Sequence, residues 1–242
     1  MSNEILFLIQ TLVGLGFTLL AFRLGKTWLY AYIAMAIILA NIFVTKQFDL
    51  FGFAATGGNV VYGSIFLATD LLSEHYGKVT ARKAVLIGFF GAVFYLVMSQ
   101  MILVFSPNSA DWGASSGMAA IFSAGPSIVL ASLSAYLISQ FHDIWAFHFW
   151  KLKFSGRYLW LRNNLSTFVS QALDSVIFAV LAFAILPGLV FHTENILEWP
   201  ILSEVILTTY LFKLFVAVID TPFIYLSYRL LPGELKTGQL PD

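Results

Sequence analysis

Seven stretches of the chain, residues 4–22, 28–45, 59–76, 83–105, 125–149, 165–189 and 201–231, are apolar runs interrupted by few charges. A helix needs about 20 such residues to cross the hydrocarbon of a bilayer, so the pattern predicts seven membrane-spanning helices joined by short connections. The connections alternate in charge. Arg23 and Lys26 lie in the first, Lys78, Arg82 and Lys83 in the third, Lys151, Lys153, Arg157 and Arg162 in the fifth, and Arg229 and Lys236 follow the last segment; the second, fourth and sixth hold only Lys46. Basic connections favour the cytoplasmic side, which predicts an N-terminus outside and a C-terminus inside. A wrong helix count would scramble this alternation.

Two stretches are not simple spans. Residues 51–59, Phe-Gly-Phe-Ala-Ala-Thr-Gly-Gly-Asn, followed by Val60-Val-Tyr-Gly63, combine glycine with β-branched and aromatic residues, which predicts a tight hairpin entering the membrane level before the third helix. Non-helical backbone at that depth survives only where protein or a wet cavity satisfies its polar groups. Residues 106–117, with Pro107, Gly113 and Gly117, read as a solvated outer loop.

Composition agrees with a membrane solvent. Of 242 residues, 59% are hydrophobic and 11% charged, against roughly a quarter charged in a soluble domain. The length suits a single transmembrane domain with little left for a soluble module: residues 1–27 as an N-terminal helix and loop, 28–231 as the core, and 232–242 as a cytoplasmic tail. The first segment lacks a basic start and a small-residue cleavage site before Arg23, so it reads as a retained helix. Formal net charge is zero and no basic block interleaved with aromatics lies outside the apolar runs, which leaves a nucleic-acid partner without support. The absence of cysteine excludes disulfides, thiol catalysis and thiolate metal sites.

The candidate chemistry is inside the apolar segments. Asp70, Asp143, Asp174, Lys213 and Asp220 all fall there, where a charge at the helix centre costs about 2.5–3.5 kcal/mol on insertion scales and therefore faces a partner or a cavity. Gln140 with Asp143, and Gln171 with Asp174, repeat a Gln-x-x-Asp spacing that puts an amide and a carboxyl on one helix face. Asp70, Ser73 and Glu74 share a face, as do Thr209, Tyr210, Lys213 and Asp220, and Asn41 sits near the outer end of the second segment. Carboxylates that accept paired N–H donors, amides and an ammonium that donate to a carbonyl, and rings that stack would suit a planar heteroaromatic ligand. The same residues would equally serve mutual pairing, Lys213 with Asp174 or with Asp220. Pro222 is expected to kink the seventh helix and free backbone groups at the site.

No metal or cofactor is called for. His75, His142, His148 and His192 form no His-x-x-x-His or His-Glu-x-x-His spacing, and His75 and His142 fit interfacial positions. Gly113-Ala-Ser115-Ser-Gly117 matches the Gly-x-Ser-x-Gly of hydrolases, but no strand leads into it, so an intramembrane serine protease stands as the distant alternative to a small-molecule transporter. No Gly-x-x-x-x-Gly-Lys loop occurs, so the chain does not itself hydrolyse ATP. Energy would come from the substrate gradient, from an ion, with Asp70 or Asp174 as candidate proton carriers, or from another subunit.

The stretch Phe66-Leu-Ala-Thr-Asp70-Leu-Leu-Ser-Glu74-His-Tyr76-Gly77-Lys-Val-Thr-Ala81-Arg82-Lys-Ala resembles the signature of the queuosine precursor transporter family, also called the vitamin uptake transporter family. Asn41, Gln140 with Asp143, Gln171 with Asp174, Tyr210-Leu-Phe-Lys213 and Pro222 extend the resemblance over residues 29–231. It implies a six-helix bundle in the cytoplasmic (inner) membrane that imports 7-deazaguanines such as preQ0, preQ1 or queuine, salvaged for tRNA modification. By that resemblance Asn41, Asp70, Glu74, Gln140, Asp143, Gln171, Asp174, Tyr210 and Lys213 are candidate substrate-binding residues. The alternative is a substrate-binding subunit of a vitamin importer working with separate ATPase subunits. The chain departs from the pattern at Gly63, where many members carry proline, and in the extra 4–22 helix. A homodimer would suit so small a bundle.

Overall fold

The computed structural model describes residues 1–122, 126–189 and 198–236; Gly125, His192 and residues 237–242 lie outside them. In chain order they form helices α1 (Asn3–Leu24) and α2 (Lys26–Phe43), strands β1 (Gln47–Leu50) and β2 (Phe53–Thr56), then α3 (Gly58–His75), α4 (Lys78–Ile102), a short α5 (Ala114–Phe122), α6 (Pro126–Lys153) and α7 (Leu159–Val180). A π-helical turn, Leu181–Ile185, runs into α8 (Leu186–Leu189), and α9 (Trp199–Ser227) and α10 (Gly233–Lys236) complete the chain. Pro187, which has no N–H to donate, accounts for the widened turn before it.

Among the described residues, five helices are long and apolar enough to cross a membrane: α1, α2, α4, α7 with its extension, and α9. The protein is a polytopic helical membrane protein. The two other long helices, α3 and α6, are richer in polar residues, and for α3 the reason is its position. It packs on α1, α2, α4, α6 and α9, and every residue from Gly58 to Ser73 except Val61 is buried. A helix that never meets lipid need not be apolar. Its inner faces pack with Leu29, Ile33, Ile37 and Phe147 in one apolar core, while Phe17, Phe90, Phe94, Leu207 and Val218 face outward, as suits a surface in hydrocarbon.

Several sequence expectations are corrected here. The hairpin is present but begins earlier, at Gln47, and ends at Thr56, so that Val60-Val-Tyr-Gly63 is helical. Its two-residue turn, Phe51-Gly52, has positive φ at both positions (53° and 80°), the twist that joins antiparallel strands most directly. Leu50 and Ala55 anchor it against Phe7, Val60, Phe212 and Val216. The 106–117 loop gives way to α5 at Ala114, whose first turn is capped by the Asp111 carboxylate accepting from the backbone N–H of Ala114 at 3.1 Å. Ser115 and Ser116 are thus in a helix with no strand before it. Arg23, Lys26, Lys78, Arg82, Lys83, Lys151 and Lys153 belong to helices rather than connections, because hydrogen-bonded turns continue past the apolar run at little cost. Arg162 is also helical, and it is buried at 1% exposure.

The odd-numbered connections do meet at one end of the bundle. Glu234 accepts from the Lys26 backbone N–H at 2.9 Å and from the Tyr76 hydroxyl, and Lys151 and Arg162 reach Glu74. The start of the C-terminal segment is thereby tied to the bundle. Burial and the bond to Glu234 push the Tyr76 phenol up from its ordinary pKa.

At Gly63 a Cβ would stand 2.5 Å from Cγ1 of Val216, so α3 and α9 approach closely only because that side chain is missing. Gly63→Ala should lower stability by about 1–3 kcal/mol through overpacking, and Val216→Ala in the same chain should restore it. Thermal unfolding in detergent checks both; a single variant as stable as the parent would contradict this packing.

Candidate functional site

The interior polar residues stack in three levels along the bundle. Nearest the hairpin, Asp174 of α7 pairs with Lys213 of α9 and also accepts from the Tyr62 hydroxyl at 2.6 Å and the Ser139 hydroxyl at 3.1 Å. The Lys213 ammonium lies 5.1 Å from the centre of the Tyr62 ring, a further cation–π contact. α3, α6, α7 and α9 each supply one or more of these groups. Charge here is fully matched, and both oxygens of Asp174 are engaged.

One to two turns deeper are Asp70 of α3, Asp143 of α6 and Asp220 of α9, all 0% exposed. Thr167 donates to Asp70 at 3.4 Å and Asn163 to Asp220 at 3.2 Å. The three carboxyl groups act on one another electrostatically. Gln140 and Gln171 are buried beside this level. Thr69 donates to Oε1 of Gln140 at 2.9 Å, whereas Nε2 of Gln140, both amide atoms of Gln171, both oxygens of Asp143 and one oxygen each of Asp70 and Asp220 have no hydrogen-bond partner in the protein. Buried polar atoms are ordinarily paired, so this level holds unused hydrogen-bonding capacity.

At the end where the basic connections meet, Glu74 binds Arg162 at 2.6 Å, Lys151 at 3.0 Å and the Tyr228 hydroxyl. Arg162 also lies 5.1 Å from the centre of the Phe147 ring. This cluster ties α3, α6 and α7 to the residue after α9. Burial and the bond to Glu74 raise the Tyr228 phenol above its usual pKa. His75 meets Ser227 at 2.8 Å, and its ring lies between Phe22 and Tyr228, so it serves the helix ends.

Of the candidate residues, then, Asp70, Gln140, Asp143 and Gln171 occupy the middle level and Asp174 with Lys213 the level nearest the hairpin. Glu74 is one turn below Asp70 in the charged end cluster. Tyr210 is half-buried, one turn before Lys213. Asn41 stands apart: its amide donates to the Ile37 carbonyl at 2.8 Å, and it lines a separate cleft with Tyr95, Ser99 and Gln100. Sequence reasoning missed Tyr62, Ser139, Asn163 and Thr167. A signal for two of them exists in the 3–4 spacing of Asn163, Thr167, Ser170, Gln171 and Asp174, a continuous polar stripe on α7.

Residues 56–227 match a family described as "Putative vitamin uptake transporter". A Bacillus subtilis (strain 168) protein named "Probable queuosine precursor transporter" is 37% identical over 215 residues, covering 88% of this chain and 89% of that protein. The "Queuosine precursor transporter" of Escherichia coli (strain K12) is 26% identical over 196 residues, 79% of this chain and 80% of its own length. A Haemophilus influenzae protein, also named "Probable queuosine precursor transporter", is 29% identical over 214 residues, 81% and 83% of the two chains. No solved structure matches.

Removing one partner of a buried ion pair strands the other charge, at a cost of about 3–5 kcal/mol, whereas removing both is far milder. Lys213→Ala should therefore lower the melting temperature in detergent more than the double variant Asp174→Asn/Lys213→Gln does. Equal losses in the two proteins would contradict a coupled pair.

Proposed function

Because the chain belongs to the vitamin uptake transporter family, we propose that it carries queuosine precursors across the membrane, as 7-deazaguanine bases such as preQ0, preQ1 or queuine used in tRNA modification. It is a transporter and not an enzyme. The observation that carries the substrate is the 37% identity to a relative of that name over nearly the whole of both chains. The interior supports it chemically: a 7-deazaguanine offers a ring N–H beside an exocyclic amine, which a carboxylate accepts in pairs, and a carbonyl oxygen, which an amide or ammonium meets.

The binding residues in this reading are Asp70, Gln140, Asp143 and Gln171 at the middle level, walled by Asp174 with Lys213 and Tyr210 on the hairpin side and by Glu74 at the other end, with Asn41 on an approach. The middle-level groups and the Asp174–Lys213 pair are buried, so the base enters and leaves only if the levels on either side open in turn, by rocking or gating of helices about a fixed midplane site. The six long helices after α1 form the core of this single transmembrane domain and α1 is an addition to it. The end that gathers Arg23, Lys26, Lys78, Lys151 and Arg162 faces the cytoplasm of the inner membrane, because basic segments are retained on that side.

Liposomes holding this chain and no other protein should accumulate labelled preQ0, preQ1 or queuine, and Asp70→Asn should cut the initial rate by at least about tenfold, the scale of one lost hydrogen bond to a charged group. Transport of none of the three bases would remove the substrate assignment. Orientation is tested separately. The chain has no cysteine, so a single cysteine at Arg157 should be protected from an impermeant maleimide in intact cells and one at Asp111 labelled; the reverse pattern would invert the topology.

A further inference from the structure

Hydrogen-bonding capacity in the interior is divided unevenly, and the division assigns roles that identity to relatives does not. Around Asp174 every oxygen is used by Lys213, Tyr62 or Ser139. Around Asp143 no bond is well formed, although Asp70, Ser166, Thr167 and Ser170 stand around it. Asp143 and Gln171 stand at the same height on the tightly packed helices α6 and α7, because the neighbouring pair His142 and Ser170 is in contact at 2.9 Å, Nδ1 to Oγ. Both are 0% exposed, and none of their four side-chain polar atoms makes a well-formed hydrogen bond within the protein. Gln140, one turn from Asp143, adds an unpartnered Nε2 donor. A buried carboxyl and a buried amide left without well-formed hydrogen bonds on facing helices weaken the fold, since each forgoes the water it would otherwise bind. Groups that lower stability without a structural return are characteristic of functional sites.

Resting on the function proposed above, we propose that Asp143 and Gln171 form the recognition edge for the base: Asp143 accepts the ring N–H and the adjacent exocyclic amine through its two oxygens, and Nε2 of Gln171 donates to the ring carbonyl. Asp174 and Lys213 then act one level away, as a closed wall that does not read the ligand. The edge selects planar heterocycles with two neighbouring N–H donors followed by a carbonyl. A base lacking the exocyclic amine leaves one Asp143 oxygen unpaired in a buried site, and sites of this kind reject such analogues strongly.

The test measures binding of preQ1 and of its 7-deazahypoxanthine counterpart, which keeps the 7-aminomethyl group and lacks only the exocyclic ring amine, by calorimetry on the detergent-purified full chain, together with melting temperatures without ligand. The parent should prefer preQ1 by at least tenfold. Asp143→Asn should weaken preQ1 at least tenfold and its counterpart less than threefold, so that discrimination collapses. Gln171→Leu should weaken both bases. Neither variant should melt below the parent, because neither breaks a well-formed hydrogen bond within the protein: Asp143→Asn removes only an acidic group from among buried acids, and Gln171→Leu removes an unpaired amide. If both variants bind and discriminate as the parent does, the edge is refuted while the transport function stands. If either melts well below the parent, the residue is structural and the assignment is refuted on that ground. A parent that binds no 7-deazaguanine overturns the proposed function and this edge together.

Discussion

Hydrocarbon solvates neither a carboxyl group nor an ammonium, and the arrangement of the long helices follows from where such groups can go. Asp70, Asp143, Asp174, Lys213 and Asp220 occupy four helices, and all are turned to a common interior where hydroxyls, amides and one another are their neighbours. The outer faces carry the phenylalanines and leucines that a soluble protein would hide. The usual disposition is reversed: a polar axis, an apolar sleeve, and between them a layer of packed aliphatic side chains.

α3 bears the consequences of that reversal. It contributes Tyr62, Asp70 and Glu74, one residue to each polar level, and is sheathed by five other helices. Close sheathing needs small residues. Gly63 lets Val216 of α9 approach, and Gly58 meets the Ala40 carbonyl of α2 where a Cβ would be 2.7 Å from its oxygen. The two charged levels differ in kind from the one between them. Asp174 with Lys213 and Glu74 with Arg162 and Lys151 balance opposite charges across helices, which holds the ends of the axis together. The middle level holds three acids and three amides with partners left over. A protein built for stability alone would fill such a level with aliphatic side chains.

Much of this was legible in the chain. The seven apolar runs, the alternation of basic connections, the Gln-x-x-Asp pairs, the hairpin before α3 and the resemblance around Asp70 are all local patterns, and helical periodicity carries them without reference to any partner. Sequence also separated Asp143 from Asp174 by helix. It did not distinguish their roles, because the two carboxyls sit in identical Gln-x-x-Asp contexts, and only the neighbours brought by other helices tell them apart: Tyr62 from α3 and Lys213 from α9 reach Asp174, and neither reaches Asp143.

Arg162 shows the same limit from the other direction. Near the end of a basic connection it reads as one more loop charge, yet it is a buried member of α7 bound to Glu74, a residue 88 positions earlier. What the sequence by itself determined was which segments are apolar enough for a bilayer and which residues in them are too polar to face it, since the cost of a charge in lipid depends on the residue and its depth alone. What only the tertiary structure decided was which of those residues cancel one another and which are left with hydrogen bonds to give, since pairing is a relation between helices distant in the chain and no spacing along one of them encodes it.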